Sequence, residues 1–278
     1  MRVVEYDPSR RADVADLMGR VWGTRPDERE LAWFYEANPV RPASVLLAED
    51  GGRTVATAAI AFLRASVGGQ EVEVGMPLRV ATDPEFRGRG IFGELEAQNE
   101  ERARELGVRL LLMVPNAASA PVFLGRLGWL KLAPLRVWAR ARLWRDRSPL
   151  PRVERFEGAQ PSGHGGDRVL RDAAWLNWRF ADSPTPYTLL SRDGYAVTGG
   201  RGRVGVLAAL EGPLLRAAGA AAGGPLQIAS PPPWQRSRYA RAGYLPTTRT
   251  FTVLGKALHP DQPVPAQPHF ELGDLDFL

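Results

Sequence analysis

The sequence predicts an α/β (α+β) protein built as two tandem domains, and three observations predict it. Strand-like and helix-like segments alternate through the first half, a glycine-rich turn joins one strand directly to one helix, and landmarks of the first half recur in the second. Trp33 and Pro39 in W-F-Y-E-A-N-P reappear as Trp178 and Pro184 in W-R-F-A-D-S-P, 145 positions on. Gly128-Trp129-Leu130 reappears as Gly243-Tyr244-Leu245, 115 positions on, so the second copy is 30 residues shorter between these anchors. At 278 residues, 44% hydrophobic and 24% charged, the chain can build two modest cores.

Taken in order, a short strand is expected over Val3 to Tyr6. Amphipathic helices follow at Arg10 to Val21 and at Asp27 to Ala37, the second stopped by Asn38-Pro39. Strands at Ser44 to Glu49, Val55 to Ala65 and Val72 to Thr82 are separated by Asp50-Gly51-Gly52 and Gly68-Gly69, both hairpin signals. Helix Ile91 to Leu106, strand Val108 to Val114, helix Ser119 to Leu127 and strand Leu130 to Leu143 complete a first domain, 1–145. A Pro-, Gly- and charge-rich stretch, 146–167, reads as a linker, and 168–278 as the second domain with a C-terminal tail.

Composition narrows the chemistry. With no cysteine, disulfides, thiolate catalysis and Cys-based zinc sites are excluded. His164, His259 and His269 lie apart in Pro/Gly-rich stretches, so neither a His-centred triad nor a metal site is expected. The net charge of +5 is almost all arginine, since only Lys131 and Lys256 are lysines among 36 basic residues. These arginines are dispersed and no nucleic-acid motif accompanies them, so no nucleic-acid partner is expected. A polar N-terminus and the lack of any long apolar run predict a cytoplasmic protein with no membrane partner.

The stretch that carries function is V-A-T-D-P-E-F-R-G-R-G-I-F-G, Val80 to Gly93. Its glycines fall where a strand hands over to a helix. The first helical amides have no intrahelical partner, the helix dipole adds positive character, and glycine lets an anion approach the backbone. Arg87 and Arg89 add charge on the same loop. Gly88, Gly90 and Gly93 match G-x-G-x-x-G numerically, but no acidic residue closes a second strand about twenty residues on. A Walker loop would need a lysine, and none is present here.

The segment Arg87-Gly88-Arg89-Gly90-Ile91-Phe92 resembles the pyrophosphate loop, R/Q-x-x-G-x-G/A, of the GNAT superfamily of acyl-CoA N-acyltransferases, with Phe92 standing where Gly or Ala is usual. A second resemblance lies in Val114 to Trp129, where Asn116 and Ser119 occupy the family's N-x-x-A block and Leu127-Gly128-Trp129 its closing turn. The element order looks like one complete domain of this family, so each domain is expected to be a mixed, mostly antiparallel sheet flanked by helices. The second copy lacks the Arg-Gly-x-Gly loop after its strand Val204 to Leu210, and Gly200-Arg201-Gly202-Arg203 precedes that strand as a hairpin turn. The resemblance is therefore to tandem members with one competent and one degenerate domain.

What the resemblance implies is acetyl transfer from acetyl-CoA, as co-substrate and without a metal, to the amine of a small molecule or peptide. Val80, Ala81 and Thr82 would present backbone groups to the pantetheine arm, and Arg87 to Phe92 would bind the pyrophosphate. Asn116 and Ser119 would either meet the arm or simply cap the following helix. Glu73, on the strand leading to the acyl site, is the candidate base, with a solvent-facing hairpin position as its other reading; Glu71 reads as solvent-facing. The family's helical Tyr acid is absent, Phe123 and Leu124 standing there. Asp274, Asp276 and the carboxylate of Leu278 could serve as base, as in some tandem members, or form a frayed acidic tail. Trp33 and Tyr35, on the helix that commonly shapes the acceptor pocket, are the candidate substrate contacts; with Phe34 the three rings cannot all face one way. Two rivals are a non-catalytic acyl-CoA-binding or scaffold protein and a tRNA-dependent aminoacyl transferase, the latter disfavoured by the intact loop.

Overall fold

The computed structural model describes residues 1–142, 150–158 and 166–275. They form two compact units. The first comprises Met1–Ala65, Gln70–Leu132 and Val253–Pro265; the second comprises Ser66–Gly69, Ala133–Thr252 and the chain from Ala266.

In the first unit the elements are β1 (Arg2–Glu5), α1 (Arg11–Trp22), α2 (Glu28–Tyr35), β2 (Ser44–Asp50), β3 (Arg53–Val67), β4 (Gln70–Thr82), α3 (Ile91–Glu105), β5 (Leu110–Met113) and β6 (Leu130–Lys131), joined by the distant strand β15 (Leu254–Ala257). Asp27 caps α2, its Oδ1 accepting the Arg29 amide at 2.9 Å. The sheet runs β1-β2-β3-β4-β5-β15-β6. β4 and β5 are parallel, with α3 as their crossover, and β15 is antiparallel to both β5 and β6. Residues 55 to 63 of β3 are all buried, as expected for a strand covered on both faces. Ile91 and Leu95 of α3 pack on Leu46, Ala48 and Ala58, while α1 and α2 bury Leu17, Met18, Leu31 and Phe34.

The second unit holds β7 (Leu135–Ala141), β8 (Arg152–Val153), β9 (Arg168–Leu170), α4 (Ala173–Leu176), β10 (Thr188–Ser191), β11 (Tyr195–Arg201), β12 (Val204–Glu211), α5 (Leu215–Ala221), β13 (Leu226–Ala229), α6 (Arg236–Arg241) and β14 (Leu245–Phe251). Its sheet runs β14-β7-β13-β12-β11-β10-β8, and the β12–β13 pair is parallel, like β4–β5. The repeat seen in sequence is structural. Trp129 donates its amide to the Phe123 carbonyl and Tyr244 donates its amide to the Tyr239 carbonyl, both at 3.0 Å, and both rings are buried. Gly200 to Arg203 makes the expected turn between β11 and β12, with Gly202 at φ +59°.

Three expectations are corrected. The single strand Leu130 to Leu143 is two strands, β6 and β7, in different units. Pro134 lies between them and has no N–H to continue a ladder. The units are consequently not the contiguous 1–145 and 168–278, because β7 hydrogen-bonds into the second sheet and β15 into the first. The stretch 146–167 is partly structured: Arg152–Val153 pairs with β10, and Asp167 Oδ1 accepts the Gly68 amide at 2.8 Å. Residues 159–165, with His164, lie outside the described residues, as do 143–149. The helix expected over Ser119 to Leu127 is present at residues 120–126, with Val122–Arg126 in π geometry. Among the described residues, no helix is long and apolar enough to cross a membrane, and no group of three His, Asp or Glu could hold a metal.

Candidate active site

The site is set by where β4 leaves its neighbour. β4 and β5 pair only at Val74↔Leu110 and Gly75↔Leu111, although β4 continues to Thr82 and β5 to Met113. Gly75 allows the close approach, since a Cβ there would fall 2.6 Å from Leu111 Cδ2 and 2.8 Å from Ile60 Cγ2. Four residues on, Arg79 has φ +51°, an uncommon value for a residue with a side chain, and the strand bends there. Its guanidinium reaches Glu30 Oε1 at 2.7 Å and stacks 4.5 Å from the centroid of the Phe34 ring, so α2 holds the strained residue in place. Beyond this bend lie Val80, Ala81 and Thr82, on the stretch of β4 that β5 does not pair.

Asp83 fixes the exit from β4. Its carboxylate is buried, accepts from Arg20 Nε at 2.9 Å and from Arg53, and its Oδ1 takes the Glu85 amide at 3.2 Å. Burial pushes this carboxyl up, but the Arg20 bond, the Glu85 amide and Arg53 together hold it below the usual range. A single turn, Pro84–Phe86, leads into the loop.

The loop is exposed from Arg87 to Gly90. Gly88 and Gly90 have φ +77° and +78°, conformations that glycine adopts without strain. Arg87 Nε donates to the Thr82 carbonyl at 3.2 Å and Arg89 donates to the Glu85 carbonyl at 3.1 Å, which keeps both guanidinium groups at the loop. Glu94 is the first residue whose amide bonds into α3, to the Gly90 carbonyl at 3.1 Å. The amides of Ile91, Phe92 and Gly93 precede it and have no intrahelical acceptor. A third guanidinium, that of Arg126, lies against this first turn, its Nη1 3.5 Å from the Gly90 carbonyl oxygen. The sequence reading missed it because Arg126 is 36 residues away in the chain.

Phe92, the departure from the family pattern, points inward. Its ring meets Phe123 edge-on at 5.5 Å and packs on the cluster of Leu111, Met113 and Trp129, so it does not obstruct the loop. Asn116 acts as a cap: its Oδ1 accepts the amides of Ala118 at 3.0 Å and Ser119 at 2.9 Å, and Ser119 Oγ turns back to the Asn116 carbonyl. Trp33, Phe34 and Tyr35 are all buried; Tyr35 packs edge-on against Tyr6, and Phe34 carries Arg79. Phe34, which was not among the expected contacts, meets the Arg79 guanidinium at the bend in β4.

Glu73 is not brought to the loop. It lies seven residues before Val80, roughly 23 Å along an extended strand, and Arg41 grips both its oxygens at 2.8 and 3.0 Å. The carboxylate that the fold does place beside the bend is Glu30. Asp274 is no frayed residue: it is buried and paired with Arg171 in the second unit. Asp276 and Leu278 lie outside the described residues.

Beneath α3 lies a buried acidic pair. Glu100 Oε1 accepts the Trp129 indole N–H at 2.6 Å, and its Oε2 pairs with Lys256. Glu96, one turn earlier, is fully buried and neither oxygen has a hydrogen-bond partner. Burial, reinforced by Glu100, pushes Glu96 up to about 8, so it is neutral at pH 7.

Residues 3–131 match the family model described as an acetyltransferase (GNAT) domain. Solved structures share the fold across nearly the whole chain. A probable N-acyltransferase of unknown function from Enterococcus faecalis V583 is 12% identical, with a TM-score of 0.67 over 92% of this chain and 72% of that one. A GCN5-related N-acetyltransferase from Kribbella flavida is 16% identical, with a TM-score of 0.65 over 92% and 70%. A tandem GNAT protein from the clavulanic acid biosynthesis pathway is 13% identical, with a TM-score of 0.56 over 94% and 99%. No curated protein matches the sequence.

Proposed function

We propose, for a chain that belongs to the GNAT superfamily through its residues 3–131, that it is an acetyl-CoA-dependent N-acetyltransferase whose first unit is catalytic. The observation that carries this is the turn at Gly88 to Gly93, where three amides without intrahelical acceptors stand among Arg87, Arg89 and Arg126. A diphosphate has the charge and the acceptor oxygens to satisfy them. The stretch of β4 that β5 does not pair, Val80 to Thr82, supports an acyl arm lying alongside it, because the backbone groups on that edge can pair with the amides of pantetheine.

The reaction is direct transfer. The acceptor nitrogen attacks the thioester carbonyl, the C–N bond forms, the C–S bond breaks, and the sulfur leaves to become the thiol of coenzyme A as the nitrogen gives up a proton. A backbone amide near the bend at Arg79 is suited to receive the developing oxyanion. We assign proton transfer to Glu30, directly or through a water, since it is the carboxylate tied to Arg79 and is about one-third exposed. Glu73, held by Arg41, is assigned instead to ordering the segment after α2. With Phe123 buried where the family places a Tyr, the thiolate departs without help from that helix. The acceptor is the amine of a small molecule or peptide, approached past α2.

The test is coenzyme A protection in a thermal-shift assay followed by thiol release with a panel of amines. Protection with turnover on at least one amine is expected. Protection without turnover would favour a non-catalytic acyl-CoA-binding protein, and absence of protection would remove both readings.

A further inference from the structure

The second unit repeats the parted strands of the first, but its slot is filled. β12 and β13 pair from Val204↔Leu226 to Val206↔Ile228, after which β12 continues to Glu211 without β13. Leu210 lies four residues past the last parallel pair, as Arg79 lies four residues past Gly75. Counted instead from the bulge at Ala208, opposite Val197 and Thr198, Leu210 corresponds to Ala81. By either landmark its amide is the counterpart of the Arg79–Ala81 stretch of β4.

That amide is taken. Leu210 N–H donates to both oxygens of Glu271, at 3.0 and 3.1 Å. Gly273 lies so close to β12 that a Cβ would fall 2.8 Å from the Ala208 carbonyl oxygen and from the Phe180 ring. Arg171 holds Glu271 at 3.2 Å and Asp274 through Nε at 3.0 Å, Asp274 accepts the Glu271 amide at 2.8 Å, and Arg179 donates to the Leu275 carbonyl at 3.0 Å. All of Phe270 to Leu275 is buried.

A tail serving only to cover apolar surface would place an apolar side chain here. Instead a carboxyl group is buried to meet one strand amide beside a buried arginine, and burial pushes that carboxyl up to about 8 against the pull of Arg171, an arrangement that costs more than apolar packing. The edge is built to receive an oxygen acceptor. It has no anion loop: Glu211-Gly212-Pro213 follows β12, and Pro213 offers no N–H.

We propose that the second unit retains a slot for a phosphate-free, amide-bearing acyl thioester arm along this edge of β12, and that the protein's own segment Phe270 to Leu275 occupies it, with the Glu271 carboxyl group standing where an acyl carbonyl would accept the amide. The identification with an acyl arm rests on the function proposed for the first unit; the seating of the tail does not.

Hydrogen exchange on the full chain tests this with S-acetylpantetheine, which lacks the diphosphate, as probe. In the wild type, residues 207–210 should exchange slowly with or without probe. In Glu271→Ala and Gly273→Leu they should exchange at least about tenfold faster, and millimolar probe should slow them again, whereas Glu271→Gln, which keeps an acceptor oxygen, should resemble the wild type. Slow exchange in both released variants, or fast exchange that the probe does not reverse, would overturn the proposal. Loss of protection throughout β11 and β12 in both would do so too, by making the tail part of the core. Acetyl-CoA protection at residues 91–94, read in the same experiment, reports separately on the first unit.

Discussion

The Arg126 guanidinium rests on the first turn of α3, and Gly93 is what lets it: a Cβ on Gly93 would fall 3.0 Å from Arg126 Cδ and 3.1 Å from its Nε. A cation from a distant turn is thereby placed over amides that already favour an anion.

Removing that cation should weaken coenzyme binding without unfolding the domain. Arg126→Ala is expected to reduce affinity for acetyl-CoA by about tenfold, the scale of one hydrogen bond to a charged group. Calorimetric titration at two salt concentrations checks this, because loss of a phosphate contact also flattens the salt dependence.

Phe92 should matter for stability and little for coenzyme. Its ring packs on Phe123, so Phe92→Ala is expected to lower unfolding free energy by about 2 kcal/mol, less than for a fully buried ring. Denaturant unfolding and acetyl-CoA titration of the same variant separate the two effects; a large affinity loss in a stable variant would place the ring at the loop.

Glu30→Gln keeps a hydrogen-bond acceptor for Arg79 and removes the base. The expected result is a kcat lowered by about a hundredfold or more, with the KM for acetyl-CoA nearly unchanged. An unaltered kcat would return the proton to solvent.

Glu96 gives the first unit a pH dependence of definite sign. Its folded-state value of about 8 lies above the ordinary 4.5, so the folded chain holds a proton that the unfolded chain releases between those values. Stability should therefore fall as pH rises from about 5 to 8, by up to about 1.4 kcal/mol per unit for this one group. Glu96→Gln should remove this group's share of the slope and be the more stable protein at pH 7.5, as denaturant unfolding at pH 5.5 and 7.5 would show.

The strand, loop and helix around Gly88 and Gly90 were legible in sequence because every part of that turn is local. Arg126 and Glu30 were not, since each reaches the site through tertiary packing from another element. The assignment of β7 and β15 to opposite units was equally hidden: an apolar strand does not record which sheet it joins, and only Pro134 marks the break. How far Glu73 stands from the parted end of β4 was not legible either, because position on a strand says nothing about where pairing with β5 stops, and it stops at Gly75. The acidic C-terminus looked frayed because Arg171, which holds Asp274, lies 103 residues earlier.

The central claim is that the amides opening α3 bind the diphosphate of acetyl-CoA. Gly90 is left-handed at φ +78°, and a Cβ there would lie 3.1 Å from Arg126 Nη1. Amide exchange across residues 88–94, measured with and without acetyl-CoA in the wild type and in Gly90→Val, tests the claim most directly. Slowed exchange at these amides in the wild type alone is the predicted result. Unchanged exchange there with coenzyme demonstrably bound, or protection confined to residues 204–230, would contradict it.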